Sequence, residues 1–127
     1  MNSLLEEAVL ATRHVNHAAI LRIKDGVVKA RSPHFVMAPS DWTRIQQAFE
    51  NPREVRTHDA GITLMDVGYR AIRADRLAVY GKNGKAGVII AKTQQYYIIG
   101  TYDSGMFASI AAEAVEKLAD YLRKKNK

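Results

Sequence analysis

The chain has no cysteine, which removes disulfides, thiolate metal sites and cysteine nucleophiles together and fits a reducing compartment. It has no apolar run near the ~20 residues a membrane span needs. Its first residues, Met1 to Glu7, lack the basic start and apolar stretch of a secretion signal, so the expected location is the cytoplasm. No repeat, linker or low-complexity stretch breaks the chain, and one domain over residues 1–127 is expected. Acidic side chains are in deficit, 13 against 19 Lys and Arg, for a net charge of +6. Such a field favours anionic partners, among them nucleic acid, acidic membrane and the acidic face of another protein. The rest is ordinary: 47% hydrophobic residues over 127 positions suffice to bury about two-thirds of the unfolded chain's surface.

Leu4, Leu5, Ala8, Val9 and Thr12 keep to one helical face, and the spacing predicts a short N-terminal helix. Ala18 to Lys24 and Val27 to Arg31 read as strands joined at Asp25-Gly26, a two-residue hairpin signal. Pro33 and Pro39 bracket a loop. Ser40 is the expected N-cap of a helix over Asp41 to Phe49, which Asn51-Pro52 ends. Strands follow at 62–65 and 69–74 around Asp66-Val67-Gly68, and at 77–80 and 88–91 around the glycine-rich 81–87, where Asn83-Gly84 suits a mirror-image turn. Tyr96 to Thr101 is nearly all apolar and so central. Ile110, Ala114, Val115, Leu118 and Leu122 mark a long C-terminal helix. Strands between separate helices with short turns predict an α+β antiparallel sheet.

Motifs for catalysis are missing. The glycine-rich segment has no Gly-Lys followed by Ser or Thr and no helix after it, so it is not a phosphate loop. His14 and His17 have no third ligand nearby, and His58-Asp59 are adjacent residues whose side chains point apart. No nucleophile elbow is present. No enzyme, cofactor or metal is expected. Nucleic-acid recognition motifs are also lacking, and the aromatics form no base-stacking set. Trp42 reads as a packing anchor, and of consecutive Tyr96 and Tyr97 only one is expected in the core. Two basic features stand out. Arg123, Lys124, Lys125 and Lys127 end the last helix in greater number than its dipole requires. Lys82 and Lys85 project from a hairpin tip, with Arg73 and Arg76 just upstream.

Ala18-Ala19-Ile20 before the Asp-Gly hairpin, Gly81 to Gly84, Val88 to Thr93 and Leu118 to Leu122 resemble profilins in order and spacing. The resemblance spans nearly the whole chain. From Arg73 onward, through Thr101-Tyr102, Gly105-Met106 and Tyr121 to Lys125, it is greatest to a divergent branch of that family. It implies a central antiparallel sheet with the terminal helices on one face and shorter helices on the other. It also implies three binding faces, for monomeric actin, proline-rich peptides and acidic phospholipids.

Matched to those faces, the residues present give unequal expectations. The proline-rich groove keeps one ring of five, Tyr121; Leu5, Lys29, Asn2 and Lys127 stand at the other positions, so this activity is expected to be absent or feeble. The actin face has Arg73, Lys82, Lys92, Phe107 and Glu113. Tyr80 and Glu113 replace basic residues and His58-Asp59 an apolar pair, so weakened or lost actin binding is expected. The lipid face keeps Lys82, Lys85, Arg123, Lys124 and Lys125. The expected protein is a monomeric, cytoskeleton-associated binder of acidic phospholipids. The alternative is a conventional actin-monomer-binding regulator of polymerisation.

Overall fold

In the computed structural model, which describes residues 1–57 and 61–127, the strand 96–102 is buried at every position. It can be, because the sheet it belongs to is covered on both sides. In chain order the elements are α1 (Asn2–Ala8), a 3-10 turn (Leu10–Thr12), β1 (His17–Arg22), β2 (Val28–Arg31), α2 (Pro39–Glu50) and α3 (Pro52–Thr57). There follow β3 (Ile62–Leu64), β4 (Val67–Ala74), β5 (Ala78–Asn83), β6 (Ala86–Lys92), β7 (Tyr96–Tyr102) and α4 (Ala108–Lys124). The seven strands form one antiparallel sheet in the order β2-β1-β7-β6-β5-β4-β3. The N-terminal hairpin therefore closes onto the end of the meander through β1 and β7.

Alternation along the strands sends side chains into two cores. Leu5, Val9, Ile20, Ile98, Val115, Leu118 and Leu122 pack between the sheet and the terminal helices. Leu21, Phe35, Ile45, Phe49, Leu64, Ile90 and Ile99 pack on the opposite side under α2 and the 32–37 loop. Each fully buried Leu or Ile contributes about 1.5–3 kcal/mol. Gly100 lets α4 lie close on β7, since a Cβ there would sit 2.8 Å from Val115 Cγ2. The α+β sheet with terminal helices on one face and short helices on the other is the architecture expected.

Several local expectations are corrected. Tyr96 and Tyr97 are both buried, one in each core, because neither face of the sheet is open. Ile110 is 36% exposed, and Ala111 takes the buried position instead. The N-cap of α2 is Ala38 rather than Ser40; Pro39 starts the helix and the Asp41 carboxylate accepts from the Ala38 N–H at 3.1 Å. Asn51-Pro52 ends α2 but also opens α3. The first hairpin is wider than two residues, closing where the Arg22 N–H meets the Val27 carbonyl at 2.9 Å. Asp25 bonds Arg22 across that loop, and Gly26, at φ +75, lies against the Trp42 ring. The turn between β3 and β4 falls at Met65-Asp66, both left-handed at φ 50 and 63, one residue earlier than the glycine suggested. The β5–β6 tip is Gly84-Lys85, so most of 81–87 is strand.

Candidate binding surfaces

β5 sends Val79 into the α2-side core, and Gly81 faces Tyr69 there, so Tyr80 and Lys82 point to the α4 side. Register places Arg73 opposite Tyr80 and Arg70 opposite Lys82, with the chain bulging at Ile72. These residues form two unlike groups. Arg73 is half-exposed but engaged by three partners. Its Nε donates to Asp75 at 2.9 Å, Nη1 donates to the Tyr80 hydroxyl at 3.1 Å and lies 3.6 Å from Glu116 of α4, and the guanidinium sits 4.9 Å from the Tyr80 ring centre. The Tyr80 hydroxyl donates in turn to Glu116. Burial and then the Glu116 carboxylate push the Tyr80 phenol up to about 12. The hydrogen bond to Asp75 raises Arg73. Burial alone would lift Asp75, but the Leu77 amide, Arg73 and the Ala78 amide together hold it below the usual carboxylate range. Arg70 and Lys82, by contrast, are exposed like charges on paired positions, and neither makes an ion pair among the described residues.

The five positions of the expected actin face are not all brought together. Arg73, Lys82 and the flank of α4 share one side of the sheet. Glu113 is exposed on α4 and pairs with Lys117 at 3.4 Å. Phe107 precedes α4 and is 63% exposed, its ring stacked on His14 with centroids 5.3 Å apart. Lys92 is elsewhere: its ammonium lies 6.0 Å from the Phe49 ring centre, on the α2 side, because Ala91 takes the α4-side position in the alternation. His58 and Asp59 lie outside the described residues.

The expected lipid set divides between the two ends of the sheet. Lys82 and Lys85 are exposed at the β5–β6 tip. Arg123 donates to the carbonyls of Lys92, at 2.7 Å from Nη2, and Leu77, at 3.4 Å, which mark the other end of the same hairpin. Five residue steps separate Leu77 from Lys82, roughly 16 Å at ~3.3 Å each. Arg123 also pairs with Asp120 at 2.7 Å, so it clamps α4 to the sheet. Lys124 is exposed, and Lys125 sits 5.2 Å from the Tyr121 ring centre.

Of the groove positions, Leu5 is 1% exposed and belongs to the core, so it presents nothing to a ligand. Asn2 uses its side-chain oxygen to accept from the Arg31 N–H at 3.2 Å. Lys29 is exposed on β2, and Tyr121 keeps an open ring. Sequence reasoning missed the Arg73–Tyr80–Glu116 network, the Arg70–Lys82 pair and the His14–Phe107 stack. All three depend on register or on partners distant in sequence, and no local motif signals them. Among the described residues no three His, Asp or Glu gather as a metal site would need, and no helix is long and apolar enough to cross a membrane.

A doubly covered antiparallel sheet whose open positions carry a mixed aromatic and basic surface defines an interaction domain. The chain belongs to the profilin family, whose model matches residues 1–127. It is 37% identical to Profilin-4 of Bos taurus over 126 residues, covering 98% of this chain and 96% of that one. The crystal structure of Acanthamoeba castellanii profilin II superposes with a TM-score of 0.90 at 36% identity, over 99% of this chain and 98% of that one. Two structures share the fold at lower identity and hold partners. LokiProfilin1 in complex with rabbit actin has a TM-score of 0.79 at 11% identity, over 97% and 93% of the two chains. Mouse profilin IIa in complex with a double repeat from an FH1 domain has 0.72 at 18%, over 98% and 97%. The family agrees with the expectation of a non-catalytic protein, and Profilin-4 is the divergent branch that the second half resembles.

Proposed function

We propose that this chain is a profilin-type regulator of the actin cytoskeleton that binds acidic phospholipids, phosphoinositides or phosphatidic acid, through its basic surface. In this reading it engages monomeric actin weakly and takes proline-rich peptides little or not at all. The observation that carries the reading is the state of the cations on the α4 side. Arg73 is neutralised by Asp75 and Glu116 and covered by Tyr80, whereas Lys82, beside Arg70, is exposed without an ionic partner among the described residues. A surface that has spent Arg73 internally, and carries Glu113 where the family has a cation, has less to offer an acidic protein face. Exposed cations at a hairpin tip suit lipid headgroups, where each is worth about 1 kcal/mol near the membrane. The groove positions speak against proline-rich ligands: Leu5 is core, and Tyr121 is the one ring kept of five.

A conventional actin-monomer-binding role is the second reading, and the exposed ring of Phe107 favours it. Co-sedimentation with phosphoinositide and phosphatidic-acid vesicles, across salt, tests the first. Pelleting should exceed that with neutral vesicles and fall as salt rises. Equal pelleting with neutral vesicles at low salt would sink it.

A further inference from the structure

Phe107 has a large exposed ring, yet it is tied to His14 by both its backbone and its side chain. Its N–H donates to His14 Nδ1 at 2.9 Å, and its ring lies on the imidazole at an interplanar angle of 24°. That N–H belongs to the residue capping α4, whose side chain makes no cap of its own. His14 is in turn held from the chain before it. Its N–H donates to Thr12 Oγ1 at 3.2 Å, the Thr12 hydroxyl donates to the Val9 carbonyl at 2.8 Å, and Arg13 between them is left-handed at φ 64. To accept from Phe107, Nδ1 must lack a proton, which puts the imidazole hydrogen on Nε2. The pair stands at the end of the sheet that carries the basic tip. β7 ends at Tyr102, paired to Gly87, and Gly87 is paired to Lys82. Ile110, one turn into α4, adds a second partly exposed apolar group.

An aromatic side chain that is already ordered loses less entropy when a partner covers it, and ordered aromatics in this setting dominate interface energetics. We infer that His14 is a positioning residue which, through its Nδ1 bond and ring stack, pre-sets Phe107 as the aromatic anchor of the actin-facing surface. The inference rests on the actin reading above and names the residue that shapes its contact. It also explains what replaces the lost cations there: a single apolar anchor held in place from the opposite end of the chain.

The test combines amide exchange of Phe107 by NMR with titration of monomeric actin, using the full chain. The Phe107 amide should be protected in the wild type and unprotected in His14→Ala and His14→Phe. In His14→Asn protection should return, since Asn places an acceptor where Nδ1 stood. Phe107→Ala should weaken actin binding about tenfold, and His14→Ala about three- to fivefold, with His14→Asn recovering part. An amide as exposed to exchange in the wild type as in His14→Ala would overturn the positioning role, whatever actin does. Unchanged affinity in both Phe107→Ala and His14→Ala would overturn the anchor. A wild type that binds no actin would contradict the actin reading and the anchor with it, while the exchange result still decides whether His14 positions Phe107.

Discussion

Replacing Tyr80 with Phe removes one hydroxyl from a line of charged groups, and its consequences can be worked from the geometry. The hydroxyl accepts from Arg73 and donates to Glu116, and so ties β4 and β5 to α4. Burial is the first cause of the phenol's rise to about 12, and a Phe ring would stay as buried, so the substitution removes only the hydrogen bonds. The side chains of Arg73 and Glu116 are 42% and 31% exposed, so with solvent screening those bonds contribute about 1 kcal/mol. The sign follows from the direction. A phenol raised in the folded state stabilises the fold fully below the unfolded value, and that stability is lost as pH climbs from 10 toward 12. Urea denaturation should therefore place Tyr80→Phe about 1 kcal/mol below the wild type at neutral pH, with the gap narrowing above pH 10. Ultraviolet titration should lose one late phenolate step, while Tyr97, which burial and Glu50 push up to about 12, and Tyr69 and Tyr102, which burial also raises, keep theirs. An unchanged late step together with unchanged stability at neutral pH would refute the network.

Other outcomes follow from the same surfaces. Leu5→Ala should cost about 2–5 kcal/mol in urea denaturation, as expected for a core leucine; a loss below about 0.5 kcal/mol would return Leu5 to the groove. Replacing Lys82 and Lys85 by Gln should lower pelleting with acidic vesicles about tenfold or more, from about 1 kcal/mol per cation. Arg123→Gln should instead lower stability by about 1–2 kcal/mol and leave pelleting nearly unchanged, because its guanidinium is occupied by carbonyls. Calorimetric titration with a proline decamer should show no saturable heat; saturation would mean that a groove exists which Tyr121 does not build alone.

The fold was legible because its signals are local and repeated. The apolar runs of β1 and β7 and the 3.6-residue period of α4 all agree with one sheet between helices. Turn positions were less legible. Met65 and Asp66 adopt left-handed backbone without being glycine, and Pro39 displaced Ser40 as the start of α2. Tyr96 could not be placed because sequence does not say whether a second layer covers the sheet. Sites were harder still. Lys92 sits among residues that match the family's actin face, yet the strand's alternation turns it to the α2 side. Arg123 reads as one of a run of cations, but two backbone carbonyls consume it. Arg70, passed over in sequence, stands beside Lys82 only through the β4–β5 register.

The most direct test of the account is a fluorescence titration of monomeric actin with the wild-type chain, paired with Glu113→Lys. A face whose Arg73 is internally neutralised and whose α4 carries an acid should bind weaker than about 10 μM, above −7 kcal/mol. Glu113→Lys should then tighten binding severalfold by removing a like charge. Binding at about 1 μM or tighter by the wild type, with no gain in Glu113→Lys, would contradict the account and establish the conventional role.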